Sequence, residues 1–223
     1  MCVLVGIPPA KLWFHWQLEG LERIPAEGPA LIAANHASYL DPFANAMAVI
    51  GAGRRPRFLA KQELFSIPLV GRALRGAGQI PVRRGSHDRA PLVRAEQALA
   101  AGEVVVVYPE GTVTNREDHL PMRGKTGAVR LSLATGVPIT PMASWGSHPV
   151  WQKSGPGSLR FGRPVWVAVG EPIDLASRGS GDDPESVQAL TAEVMEALTA
   201  LVLDLRSRYP KRWLDEDKGG QRG

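Results

Sequence analysis

The sequence predicts an α/β domain, a mixed and mostly parallel sheet flanked by helices. Two observations predict it. The runs Ala30–Ala34 and Val104–Val107 are continuously apolar, as strands covered on both faces are. Amphipathic segments of helical period alternate with such runs, and this alternation packs helices onto a sheet. A length of 223 residues suits one such domain, with at most a small appendage.

Residues 30–34 read as a buried strand. Asp41-Pro42 then supplies an N-cap residue and a first-turn proline, so a helix is expected to about Ile50. Residues 57–60 form a short strand, 66–76 a short helix ended by Gly76, and Gln79–Val82 another strand. Ala90–Ala101 reads as a helix with Leu92, Val93, Ala95 and Leu99 inward, stopped at Gly102. Glu103–Tyr108 is the strongest strand, and Thr126–Thr135 a helix stopped by Gly136. Val137–Ala143 is a strand that Pro138 and Pro141 place at an edge or a strand end. Residues 158–169 suggest a hairpin or edge strand. Asp182-Asp183-Pro184 caps a long amphipathic helix, Glu185 to Arg208. The expected organisation is a short apolar and aromatic segment over 1–17, the domain over 18–210, and a polar tail over 211–223.

Composition excludes several classes. The single cysteine, Cys2, rules out an intrachain disulfide and a zinc cluster. No stretch has the roughly 18–20 uninterrupted apolar residues of a membrane span. Met1 to Trp16 is apolar but broken by Pro8, Pro9 and Lys11, unlike a signal peptide. The Trp13-Phe14-His15-Trp16 cluster fits either a bilayer interface or packing against the domain. The net charge of +4 is uneven: nine Lys/Arg face two acids between Arg54 and Arg89. Such a surface attracts phosphates. Its apolar neighbours, Leu64-Phe65, Ile67 to Val70 and Leu74, suit a lipid surface better than nucleic acid, for which no motif is present. Residues 54–76 are therefore the first candidate docking surface and Trp13–Trp16 the second.

Three segments carry chemistry. Asn35-His36 precedes Asp41, and His36 alone of the five histidines has a carboxylate five residues on. A carboxylate on one imidazole nitrogen fixes the tautomer and leaves the other nitrogen to take a proton. In a regular helix such residues lie about 140° apart, so the pair needs a loop bending into a helix. Tyr108-Pro109-Glu110-Gly111-Thr112 follows the strongest strand, where α/β proteins place ligand groups. Gly78 to Arg84 ends a strand with two guanidiniums, Arg83 and Arg84, suited to phosphate. Gly124-Lys125-Thr126 fails as a phosphate loop because position 119 is His. No nucleophile elbow or His-Glu-x-x-His is present, and Ser38 is a less favoured nucleophile. His15, His87, His119 and His148 have no ligand-like spacing and read as structural or solvated.

With Val137-Pro138-Ile139…Pro141, these blocks stand in the order of the lysophosphatidic acid acyltransferase family, within the glycerophospholipid acyltransferase superfamily. The resemblance spans about residues 18–143, and Lys61 to Phe65 with Pro68…Gly71 also fit it. It implies that His36 is a general base oriented by Asp41. Arg84 would bind the acceptor's phosphate with help from Lys61, and the Glu110-Gly111-Thr112 turn would hold the glycerol-phosphate part. The implied reaction moves a fatty acyl group from acyl-CoA or acyl carrier protein to 1-acylglycerol-3-phosphate, giving phosphatidic acid. It implies no metal and no cofactor beyond that co-substrate. The partners implied are a lysophospholipid and an anionic membrane, met peripherally or monotopically at its cytoplasmic face. Glycerol-3-phosphate or another lysophospholipid is the alternative acceptor, and a non-enzymatic lipid-binding protein the alternative class. Val113 and Thr114 replace the family's usual Arg and Ser, leaving Arg83 or Arg116 to substitute. The segment before the family core is expected to be too short for a full two-helix membrane anchor.

Overall fold

The computed structural model describes residues 12–83, 89–179, 181 and 183–214. Seven strands form one mixed sheet: β1 (His15–Glu19), β2 (Ala30–Ala34), β3 (Pro56–Lys61), β4 (Ile80–Val82), β5 (Val104–Val107), β6 (Ile139–Trp145) and β9 (Pro164–Val169). Their order is β1-β9-β6-β2-β5-β3-β4. The five strands from β6 to β4 run parallel. β9 is antiparallel to β6 and parallel to β1. A two-stranded hairpin, β7 (Trp151–Gln152) with β8 (Gly155–Pro156), stands apart from the sheet.

The period-two alternation of β2 divides the core. Leu31 and Ala33 face α3 (Ala90–Ala100), α4 (Gly127–Thr135) and α5 (Pro184–Arg208). Ile32 and Ala34 face α1 (Asp41–Gly51), whose Ala44, Ala48 and Val49 are fully buried. The remaining helix, α2 (Pro68–Gly76), buries only Gly71 and follows a 3₁₀ turn over Gln62–Ser66. Asp183 caps α5 by accepting from the Glu185 and Ser186 amides, while Asp182 lies outside the described residues. Among the described residues α5 is the one helix long and apolar enough to cross a membrane. Its Val194, Leu198, Val202 and Leu205 are instead buried against the sheet.

Five expectations change. β6 is interior rather than an edge, because its prolines fall where no donor is needed. Pro138 precedes the strand, the β9 ladder stops at Met142, and Pro141 only accepts, from Gly170. β9 is likewise interior, and residues 158–163 form no strand. Val93 points outward on α3, while Leu99 and Ala95 are buried. The aromatic cluster splits: Phe14 is buried and Trp16 packs on the core, whereas Trp13 stays partly exposed. β1 crosses residue 17, and Trp213, inside the segment read as a polar tail, is buried.

Candidate active site

Three strands deliver the site to one edge of the sheet. Beyond β2 lies the loop 35–40, beyond β5 the turn 108–112, and beyond β6 the segment Gly146–His148. Asn35 extends the β2–β6 ladder with its side chain, accepting from the Ser144 amide at 2.7 Å and donating to the Ser144 carbonyl at 3.2 Å. This fixes where the loop leaves the sheet.

The loop then turns into α1 so that Asp41, its first residue, folds back on His36. His36 Nδ1 lies 3.2 Å from Asp41 Oδ2. Leu40 occupies the N-cap position, with no side-chain cap, because the Asp41 carboxylate is used elsewhere. Its Oδ2 also accepts from the Ser38 amide at 2.7 Å, and its Oδ1 from Ser144 Oγ at 3.1 Å and Ser147 Oγ at 2.5 Å. A fully buried carboxylate with four donors is well compensated for its lost water. A carboxylate accepts, so in the neutral imidazole this contact sets the proton on Nδ1 and leaves the lone pair on Nε2.

The turn 108–114 grips His36 by its backbone. The His36 amide donates to Glu110 Oε1 at 2.8 Å, and the His36 carbonyl accepts from the Thr114 amide at 2.7 Å. Glu110 Oε2 accepts from the Met122 amide at 2.9 Å. Glu110 thus ties the histidine loop to residues 120–125, and burial pushes its carboxyl up to about 7 against the lowering of those two amides. Tyr108 stacks on the imidazole with ring centroids 4.2 Å apart. Its hydroxyl accepts from Asn45 at 3.1 Å, and burial, then the Asp41 charge, holds the phenol well above its ordinary range. Gly111 has φ of +70°, and a Cβ there would meet Lys125 Nζ at 2.9 Å, so that turn needs glycine.

The other expected residues are more dispersed. Lys61 ends β3 at the same edge, exposed and 3.5 Å from Glu63. Thr112 is half-buried two residues from Glu110. Arg83 follows β4, three strands from β2, and lines a groove of about 810 Å³ with Arg57, Arg75 and Arg94. Arg84 and His87 lie outside the described residues. Arg116 forms a two-bond pair with Asp118, so its guanidinium is engaged. His119 and His148 meet at a tilt of 30° with ring centroids 4.3 Å apart, and burial holds the His148 imidazole well below its ordinary value.

Sequence reasoning missed Ser144, Ser147, Asn45 and the bracing geometry of Glu110. The bonds Asn45–Tyr108, Glu110–His36, Ser144–Asp41 and Ser147–Asp41 join residues 63 to 106 apart, so no local spacing announces them. Ser38 makes a poor nucleophile, since its hydroxyl donates to the Trp151 carbonyl at 2.8 Å and accepts from the Leu40 amide. Ser38→Ala is expected to keep thioester turnover within about threefold while costing about 1 kcal/mol of stability. A loss of turnover above a hundredfold with an unchanged melting temperature would contradict that assignment.

Fold and dyad together define an α/β protein with a buried His-Asp pair aimed at the carboxyl ends of parallel strands. The family model named Acyltransferase matches residues 15–145. An uncharacterized protein of Mycobacterium tuberculosis is 32% identical over 226 residues, covering 84% of this chain. This chain spans only 61% of that relative's length. The 1-acyl-sn-glycerol-3-phosphate acyltransferase of Bacillus subtilis is 27% identical, covering 84% of this chain and 86% of its own. The crystal structure of the 1-acyl-sn-glycerophosphate acyltransferase of Thermotoga maritima superposes with a TM-score of 0.69 at 27% identity. It covers 90% of this chain and 76% of that one. The chain belongs to the acyltransferase family.

Proposed function

We propose that the protein is an O-acyltransferase that moves a fatty acyl group from acyl-CoA or acyl carrier protein to the free hydroxyl of 1-acylglycerol-3-phosphate, giving phosphatidic acid. The observation that carries this is the imidazole whose Nδ1 is taken by Asp41, leaving Nε2 as a base. Nε2 removes the hydroxyl proton as the oxygen attacks the thioester carbonyl. Asp41 stabilises the imidazolium that forms. The tetrahedral intermediate expels the thiolate, which takes the proton back from Nε2 and leaves as the thiol. The alcohol is the nucleophile throughout, so no acyl-enzyme forms, and the reaction as written uses no metal.

Lys61, with Arg84 beyond the described residues, supplies positive charge for the acceptor's phosphate. A long-chain acceptor stays in the bilayer, because each buried methylene is worth about 0.8 kcal/mol. The enzyme therefore comes to it, at the cytoplasmic face of the membrane and as a peripheral or monotopic protein. The outer face of α2 offers the contact: Ile67, Leu69 and Val70 are exposed beside Arg72 and Arg75.

A different lysophospholipid acceptor is the second reading, favoured by Val113. That side chain is 1% exposed where the family usually carries an arginine, so no guanidinium reaches the acceptor from there. The test is thiol release from acyl-CoA with a panel of acceptors. We expect kcat/KM for 1-acylglycerol-3-phosphate at least tenfold above those for glycerol-3-phosphate and zwitterionic lysophospholipids. A panel led by another lysophospholipid establishes the second reading, and no turnover with any acceptor removes both.

A further inference from the structure

Six of the exposed large apolar side chains gather at one edge of the sheet. β9 and β1 run against the other strands, so the segments entering them rise at the edge that carries His36. There Leu12, Trp13, Trp151, Leu159 and Phe161 are all exposed, Leu12 at 78% and Phe161 at 70%. Trp13 and Phe161 meet edge to face at 5.6 Å, and the Gly162 amide donates to the Trp13 carbonyl at 2.8 Å. Trp151 meets Tyr39 at 5.7 Å, and Tyr39 is itself 47% exposed. Two such pairs of exposed aromatics at one edge of the sheet mark an interaction site.

This patch is joined to the dyad. The Trp151 carbonyl accepts from the Tyr39 amide at 3.1 Å and from Ser38 Oγ at 2.8 Å. Both donors lie between His36 and Asp41. Whatever seats the β7–β8 hairpin therefore also seats the catalytic loop.

The occupant follows from charge and residue type. From His119 to Gly170 the chain holds six Lys/Arg and no Asp or Glu. Lys153 and Arg160 lie in the same loops as Trp151, Leu159 and Phe161. Aromatic rings and leucines among cations, with no acid, suit the headgroup layer of an anionic bilayer. We propose that the β7–β8 hairpin, with residues 12–13 and 157–162, is a second bilayer-docking lobe. It lies across the dyad from α2. Contact on both flanks turns the mouth of the site toward the lipid, which deepens and rests on the acyltransferase reading above.

The experiment compares the full chain with Leu159→Glu/Phe161→Glu and with Val93→Glu, an exposed apolar position on α3 away from this edge. Binding to phosphatidylglycerol/phosphatidylcholine vesicles is measured by sedimentation and by tryptophan emission. Turnover is measured on a short-chain, water-soluble acceptor and on the same headgroup embedded in vesicles. The double variant is expected to bind vesicles at least about tenfold more weakly and to lose turnover on the embedded acceptor in proportion. Its turnover on the soluble acceptor and its melting temperature stay as in the wild type, and Val93→Glu changes neither binding nor turnover. Vesicle binding unchanged in the double variant, with soluble turnover intact, overturns the lobe and leaves the acyltransferase reading standing. Weakened binding with no turnover of any acceptor by the wild type supports the lobe and removes that reading. A wild type that binds no vesicles, or a dimer broken by the double variant while vesicle binding persists, overturns the lobe.

Discussion

Alanine at position 36 is expected to slow thiol release from acyl-CoA by about 10²–10⁴-fold, the usual contribution of a positioned base. The fold should survive the change. Without the imidazole, Asp41 still accepts from the Ser38 amide and from Ser144 and Ser147. The stability cost should therefore stay within about 2 kcal/mol. Removing Asp41 is different, because it strands several buried donors at once and confounds chemistry with folding. His36→Ala is thus the cleaner probe, read as kcat by a thiol-reactive dye beside a thermal melt. A variant with the wild-type rate removes the general-base mechanism.

Alanine at position 110 is expected to damage both stability and turnover. Glu110 satisfies two amides, those of His36 and Met122, and each would be left without its partner. At about 1–3 kcal/mol per buried unsatisfied group, the loss is about 2–6 kcal/mol, a large share of a typical domain's 5–15. The resemblance assigns this carboxylate to the glycerol-phosphate part of the acceptor, whereas both its oxygens are occupied by backbone. The brace predicts a fall in melting temperature and kcat with the acceptor KM within about twofold. An acceptor KM raised more than tenfold with an unchanged melt would return Glu110 to substrate binding.

The same carboxyl makes stability depend on pH. Burial raises it from 4.5 to about 7 in the folded chain, so the native state holds its proton more tightly than the unfolded one. Stability from this group is fully present below about pH 4.5 and is lost as pH rises toward 7, by about 3 kcal/mol. Glu110→Gln cannot titrate. Urea midpoints between pH 5 and 8 should therefore fall less in that variant than in the wild type.

Most element types could be read from local pattern, and most positions in the sheet could not. The valine run of β5 and the small apolar run of β2 announce doubly covered strands without help. Pro141 misled, since proline usually marks an edge, and only the pairing of β9 shows that its missing donor costs nothing. β1 carries His15, Gln17 and Glu19 between larger apolar residues and reads as the end of an apolar segment; its strand character comes from β9. At the site, His36 and Asp41 were legible because they are five residues apart and the loop closes the gap. The serines that hold Asp41, and the backbone bonds that occupy Glu110, depend on contacts across the sheet.

The pairing of β1 with β9 also bears on how the chain acquires its structure during synthesis. Among the described strands β1 is made before the other six, yet its one neighbour in the sheet is β9, which follows nearly 150 residues later. The stretch 15–145, which carries every motif, ends with β6 exposing an unpaired edge and β1 waiting alone. A nascent chain that has displayed its whole chemical signature is therefore still open and prone to self-association. The sheet closes only when the segment beyond that signature arrives. By this route the residues after 145, silent in the motif pattern, decide whether those before it become one cooperative molecule.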